Sequence, residues 1–130
     1  MLTILHQDDH MLAVDKPPGL LSTPSPLASD RVTCMSLLRD QIGAWVYPVH
    51  RLDRATSGCV LLGLDKAVMA ALGEGFMERQ VDKHYLAVVR GWPAESGEID
   101  YPLTVGGMKG ERKPSLTRWR RLATVEVPIA

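Results

Sequence analysis

The stretch His50-Arg51-Leu52-Asp53-Arg54-Ala55-Thr56-Ser57-Gly58 concentrates more reactive chemistry than any other part of the chain. It is polar and charged and lies between two apolar runs, so it reads as a loop between strands. Asp53 sits between Arg51 and Arg54. Opposite charges close by favour the ionised carboxylate. An ionised, oriented carboxylate is what nucleophilic attack or general-base work requires. Thr56, Ser57 and Gly58 can turn the chain and cap backbone groups around it. The same composition also fits a solvated surface loop with an ion pair, so the residues alone leave both readings open.

The elements that must hold this loop follow from periodicity and punctuation. Leu2–Leu5 and Met11–Val14 are short apolar runs separated by Asp8-Asp9, which predicts two strands joined by a polar turn. Lys16-Pro17-Pro18-Gly19 cannot continue a strand, and a Pro/Ser-rich loop runs from there to Asp30. Asp30 is expected to cap a helix from about Arg31 to Ile42, with Val32, Met35, Leu38 and Ile42 on one face and Gly43 as its stop. Trp45–Val49 reads as a short strand and Cys59–Leu64 as a buried one. Asp65 is expected to cap a second helix reaching about Arg79, with Met69, Leu72 and Phe76 on one face. Lys83–Val89 alternates like a strand that carries Tyr85 with Ala87 and Val89. Glu98–Leu103 and Leu116–Val127 are further expected strands, around a Gly/Lys-rich loop over Thr104–Ser115. Strands and helices without regular alternation predict an α+β fold: a mixed, mainly antiparallel sheet with flanking helices.

Composition narrows the classes. The chain has 130 residues, 45% of them hydrophobic and 23% charged, which suits one folded domain and argues against disorder. Fifteen Lys and Arg balance fifteen Asp and Glu, so any basic binding surface must be local. No run approaches the length of a membrane helix. Asp8, Asp9 and Asp15 interrupt the region where a signal peptide would be apolar. Cys34 and Cys59 make neither a disulfide framework nor a metal knuckle, and both are expected as buried free thiols. His6, His10, His50 and His84 lack metal-ligand spacing, so no metal is expected.

His50–Gly58 resembles the H-R-L-D-x-x-T-S-G signature of the RluA-type pseudouridine synthases. Two further segments fall in the family's order. Asp15-Lys16-Pro17-Pro18-Gly19-Leu20 resembles its [DN]-K-P-x-G segment, and Lys83–Gly91 resembles its K-x-Y-x-A-x-V-x-G strand. The opening residues, Asp40–Gly43, Arg90-Gly91-Trp92, Asp100–Leu103 and Leu122–Glu126 look most like the family's tRNA-directed subgroup. The resemblance implies conversion of uridine to pseudouridine in RNA, by implication in tRNA at uridine 65 of the T arm, in the cytoplasm. It implies Asp53 as the catalytic aspartate and Tyr85 as the residue that stacks on the flipped uracil and helps remove its C5 proton. Asp53 and Tyr85 are therefore expected to converge. Arg54 would occupy the gap left by the flipped base. His50 and Arg51 would position the loop and contact phosphate, and Lys16 would join them in binding substrate. No cofactor is implied, because the isomerisation is redox-neutral and uses acid–base and nucleophilic groups.

Outside the motifs, Lys109, Arg112, Lys113, Arg118, Arg120 and Arg121 stand against Glu111, with Trp119 among them. Such a stretch suits RNA backbone and base stacking, or equally a strand edge guarded by charge. The family's downstream T-G-R-x-H-Q-[IL]-R segment has no counterpart here. The chain is therefore expected to be the N-terminal part of the catalytic domain, spanning residues 1–130, with an open sheet edge that invites self-association. A second reading follows, in which such a part folds, self-associates or binds RNA without turnover. A carboxylate glycosidase would need a second acid, and Asp65 and Asp82 are better explained as a helix cap and a strand start.

Overall fold

The computed structural model describes residues 1–106 and 110–128. The chain divides into two compact units, Met1–His84 and Tyr85–Ala130. The fold is α+β, with antiparallel sheets and two helices.

The first unit is built on a four-stranded antiparallel sheet. Its strands are β1 (Thr3–Gln7), β2 (Met11–Lys16), β3 (Tyr47–Pro48) and β4 (Gly58–Gly63), in the order β1-β2-β4-β3. Asp8 makes the first turn: its Oδ1 accepts the N–H groups of His10 and Met11, both at 2.8 Å, and its Oδ2 meets His6 Nε2 at 2.9 Å. The His6 bond and these amides hold the Asp8 carboxyl down at about 2. In the central pair, Leu12 faces Leu62, Val14 faces Val60 and Lys16 faces Gly58. Leu12, Val14, Val60 and Leu62 thus share one face. Together with Leu2, Cys34, Met35, Leu38, Val46 and Leu52 they form the core. At the sheet's outer strands, β1 carries a register irregularity between Ile4 and His6, and β3 is two residues long and ends in Pro48. Both features oppose pairing with a further strand.

Helix α1 (Cys34–Ile42) covers the core face. It starts three residues later than expected. The cap is Thr33, whose hydroxyl accepts Ser36 N–H at 3.1 Å while Ser36 Oγ accepts Thr33 N–H at 2.8 Å. Asp30, the expected cap, instead pairs with Arg54. Gly43 adopts φ 67 and donates its N–H to Arg39, so the expected stop is observed. Helix α2 (Lys66–Met77) is capped by Asp65, whose Oδ1 accepts Val68 N–H at 2.8 Å, and it packs on β4. Cys34 is buried as expected, whereas Cys59 is exposed on β4.

The second unit contains a ribbon of two paired segments. Strand β5 (Ser96–Asp100) pairs with β8 (Leu116–Arg120), and β6 (Leu103–Val105) pairs with β7 (Glu111–Lys113). Pro102 and Pro114 flank the break between them, where Tyr101 N–H still reaches Ser115 O at 3.1 Å. The inner hairpin replaces part of the loop expected over Thr104–Ser115, and the last strand ends at Arg120 rather than Val127. Lys83–Val89 alternates as a strand should, yet it joins no ladder among the described residues. Alternation marks a strand only where a neighbour takes the backbone groups.

Among the described residues no helix is long and apolar enough to cross a membrane, and no cluster of three or more His, Cys, Asp or Glu is placed to hold a metal.

Two glycines discriminate packing from propensity. A Cβ at Gly63 would lie 2.9 Å from Met69 N and 3.1 Å from Asp65 O, both backbone atoms of the α2 start. Gly73 in mid-α2 faces open space. Gly63→Ala is expected to lower the unfolding free energy by about 1–3 kcal/mol. Gly73→Ala is expected to raise it by about 0.5–1 kcal/mol. Urea denaturation of the two variants side by side checks both signs.

Candidate active site

The loop His50–Ser57 and the loop that follows β2 leave the sheet at the same end, because Lys16 and Gly58 are register partners. What fixes them against each other is a buried lysine. Lys16 is fully buried. Its Nζ donates to Leu20 O at 2.7 Å, Pro17 O at 3.0 Å and Arg54 O at 3.1 Å. All three ammonium protons are therefore used. Burial pushes the Lys16 pKa down, and Coulombic interaction with the Asp53 carboxylate acts against that shift. Burial in turn raises the Cys34 thiol. The sequence placed Lys16 among the substrate-binding residues. Its burial takes it off the surface, since an ammonium saturated by three carbonyls has nothing left to offer a phosphate.

Four further hydrogen bonds converge on the same loop. Gly19, at φ 88, donates its N–H to Arg54 O at 2.7 Å, and Arg54 Nε returns a bond to Gly19 O at 3.2 Å. Ser22 is buried, and its hydroxyl donates to Leu52 O at 2.7 Å while accepting Leu52 N–H at 3.0 Å. Ser22 O also accepts Met35 N–H at 3.3 Å, and Leu21 O accepts Cys34 N–H at 2.7 Å. The first amides of α1 and the backbone of Leu52 are thus held by one short segment. Leu52 itself is a core side chain.

Asp53 lies between these two anchors. Leu52 is clamped before it and Arg54 O is held after it, and Asp53 O closes a turn by accepting Thr56 N–H at 3.0 Å. The residue is exposed, so the backbone is fixed and the carboxylate is free to meet solvent or ligand. Arg51 is exposed beside it. The Arg54 guanidinium pairs with Asp30 across a half-exposed surface. Such a pair is worth only about 0–1 kcal/mol, so a ligand anion can displace it. An open cleft lined by Thr3, Asp15, Pro18 and Ser57 adjoins this end of the sheet.

A model of the RNA pseudouridylate synthase family matches residues 10–126. The chain belongs to that family. Among curated relatives, tRNA pseudouridine synthase C of Pectobacterium carotovorum subsp. carotovorum is 45% identical, covering 100% of this chain and 37% of its own length. The protein of the same name from Haemophilus ducreyi is 41% identical over 99% of this chain and 57% of its own length. Among solved structures, Human RNA Pseudouridylate Synthase Domain Containing 4 superposes with a TM-score of 0.75 at 25% identity, covering 95% of this chain and 54% of that one. Human RNA Pseudouridylate Synthase Domain Containing 1 gives 0.70 at 27% identity, covering 91% and 51%. The chain spans about half the length of most of these relatives.

Within this pseudouridylate synthase domain, His50 is not a surface contact. Its Nε2 accepts Leu61 N–H at 2.9 Å, next to where Pro48 ends the β3–β4 ladder. The ring stacks on Phe76 of α2, with centroids 4.6 Å apart and planes 17° from parallel. Lys83 Nζ lies 6.0 Å from the same Phe76 ring. Burial first, and the Lys83 charge second, lower the His50 pKa. A neutral imidazole that accepts at Nε2 carries its proton on Nδ1. His50 therefore secures the entry to the loop. Tyr85 opens the second unit, 64% exposed and outside every strand. The expected basic stretch is partly spent on its own ribbon. Arg118 pairs with Glu98 at 3.0 Å, Arg121 donates to Pro93 O at 2.8 Å, and Arg112 lies 5.4 Å from the Tyr101 ring centroid. Trp119 sits against Gly97, where a Cβ would come within 2.7 Å of its ring. Lys109 falls outside the described residues.

The sequence reading missed Ser22, Gly19 and Asp30 as parts of this site. A serine in a Pro/Ser-rich loop carries no signal of burial. Ser22→Ala is expected to leave both backbone groups of Leu52 unpaired and to destabilise the protein by about 2–4 kcal/mol, read from urea denaturation.

His50 gives a pH signature. With its native pKa below the usual value of about 6.5, the unfolded chain binds the extra proton first as pH falls through that window. Stability therefore drops as pH is lowered from about 7.5 to about 5.5. His50→Gln keeps an acceptor for Leu61 but does not titrate, so the difference in urea midpoint between those two pH values should shrink in the variant.

Proposed function

We propose that this chain is the aspartate-bearing part of an enzyme that isomerises uridine to pseudouridine in tRNA, in the cytoplasm, with uridine 65 as the target. The observation that carries this reading is Asp53, exposed on a loop whose backbone is anchored on both sides by Ser22 and Lys16. A carboxylate held this way needs little reorganisation when it meets a ribose or a base. The relatives named tRNA pseudouridine synthase C support the choice of tRNA as substrate.

In the reaction the N1–C1′ bond breaks, the uracil turns, a C5–C1′ bond forms, the C5 proton leaves and N1 gains a proton. Product and substrate are isomers, and no oxidant or co-substrate enters. Asp53 acts on the sugar or the base as nucleophile or base. Tyr85 stacks on the uracil and assists loss of the C5 proton. The target base must leave its stack to be reached. Arg54 exchanges Asp30 for the RNA and fills the vacated space, and Arg51 contacts phosphate. His50 and Lys16 serve as positioning residues behind this surface.

A second reading has its own support. The chain covers about half of most of the relatives it matches, and Tyr85, Leu86, Val88, Val89, Leu122 and Val125 are all exposed. On that reading the chain folds, self-associates or binds RNA without turnover.

Tritium release from tRNA carrying 5-tritiated uridine separates the two. Release that Asp53→Ala abolishes is the expected result. Absence of release from the 130-residue chain, together with retained and salt-sensitive RNA binding, overturns the first reading for this chain and favours the second.

A further inference from the structure

Trp45 occupies an unusual position for the largest side chain type. It follows the Gly43 stop of α1, precedes β3, and is 58% exposed. The Arg39 guanidinium, from the last turn of α1, lies 3.4 Å from its ring centroid. The Tyr47 ring is 6.4 Å away and tilted by 59°. Arg39 thereby backs one side of the indole and restrains its plane.

Arg39 is also underused. Its Nε is buried without a hydrogen-bond partner, and its Nη2 reaches Val46 O only at 3.5 Å. Among the described residues no carboxylate pairs with it. An exposed indole backed by a cation that no carboxylate neutralises fits a ligand that combines a flat π-face with acceptor oxygens. An unpaired nucleotide has both. An added peptide strand fits poorly, because β3 is two residues long and ends in Pro48. A purely apolar partner would bury the guanidinium unpaired.

The platform is separate from the Asp53 loop. Tyr47 pairs with Gly63, whereas the loop leaves the sheet where Lys16 pairs with Gly58. The length of β4 lies between them, roughly 17 Å at about 3.3 Å per residue. The same nucleotide cannot touch both places.

We propose that Trp45, backed by Arg39 and flanked by Tyr47, is a stacking platform for an unpaired base of the bound RNA, remote from the nucleotide offered to Asp53. This rests on the reading of the chain as RNA-acting and adds a second contact to it.

Replacing Trp92 and Trp119 by Phe leaves Trp45 as the sole indole. Titration of that variant with decauridylate is expected to quench its emission, and a fully paired RNA hairpin is not. Trp45→Leu should weaken decauridylate binding, measured by anisotropy of the labelled RNA, by about fivefold or more, with Trp45→Phe recovering most of the loss. Unchanged emission, or equal binding by Trp45→Leu, overturns the platform. Tritium release is scored separately. A chain that releases tritium without quenching retains the proposed function and loses the platform. One that quenches without release supports the platform and loses the proposed turnover.

Discussion

A buried ammonium with three carbonyl partners is the constraint on which this molecule's surface chemistry depends. Taking the Lys16 charge out of water is unfavourable unless every proton finds an acceptor. The acceptors come from Pro17 and Leu20 on one loop and Arg54 on another. Neither loop can shift without stranding the charge. Two segments that share no regular secondary structure are thereby held in one arrangement.

Around that anchor the remaining contacts fall into place in layers. The core leucine at position 52 pins the loop from below, and one hydroxyl at Ser22 satisfies both of its backbone groups. The same segment accepts the opening amides of α1, so helix start and loop are supported together. His50 closes the approach by taking a β4 amide where the Pro48 ladder ends. The interior holds the backbone tightly, while Asp53, Arg51 and the Arg54–Asp30 pair sit on the outside, where exchange with a ligand is inexpensive. Rigidity beneath and adaptability above is the division of labour expected of a preorganised site.

Much of this frame was legible in the residues. Strands β2 and β4, the Asp65 cap and the Gly43 stop follow from apolar runs and capping chemistry. The segments around Lys16 and Asp53 stood out by their order. Other features depend on tertiary partners that periodicity cannot reveal. Lysine is a surface residue by default, and although Lys16 follows Leu12 and Val14 at a spacing of two, only the carbonyls of Pro17, Leu20 and Arg54 make its burial tolerable. Asp30 and Thr33 are both good caps, and the nearby Arg54 guanidinium decides between them. For His50, the resemblance implied both positioning the loop and contacting phosphate, and the Leu61 amide and Phe76 ring account for its place. Lys83–Val89 has the alternation of a strand without a ladder, and the Gly/Lys-rich segment after it hides a short hairpin.

The ties at the loop join residues far apart along the chain. Lys16 and Arg54 are 38 positions apart, and Ser22 and Leu52 are 30 apart. Each such closure costs chain entropy before any contact rewards it. The loop geometry therefore cannot preexist in an isolated peptide or in a chain whose central strands have not yet met. Asp53 acquires its fixed setting as a late product of folding, and a partly folded chain presents only an ordinary, mobile aspartate.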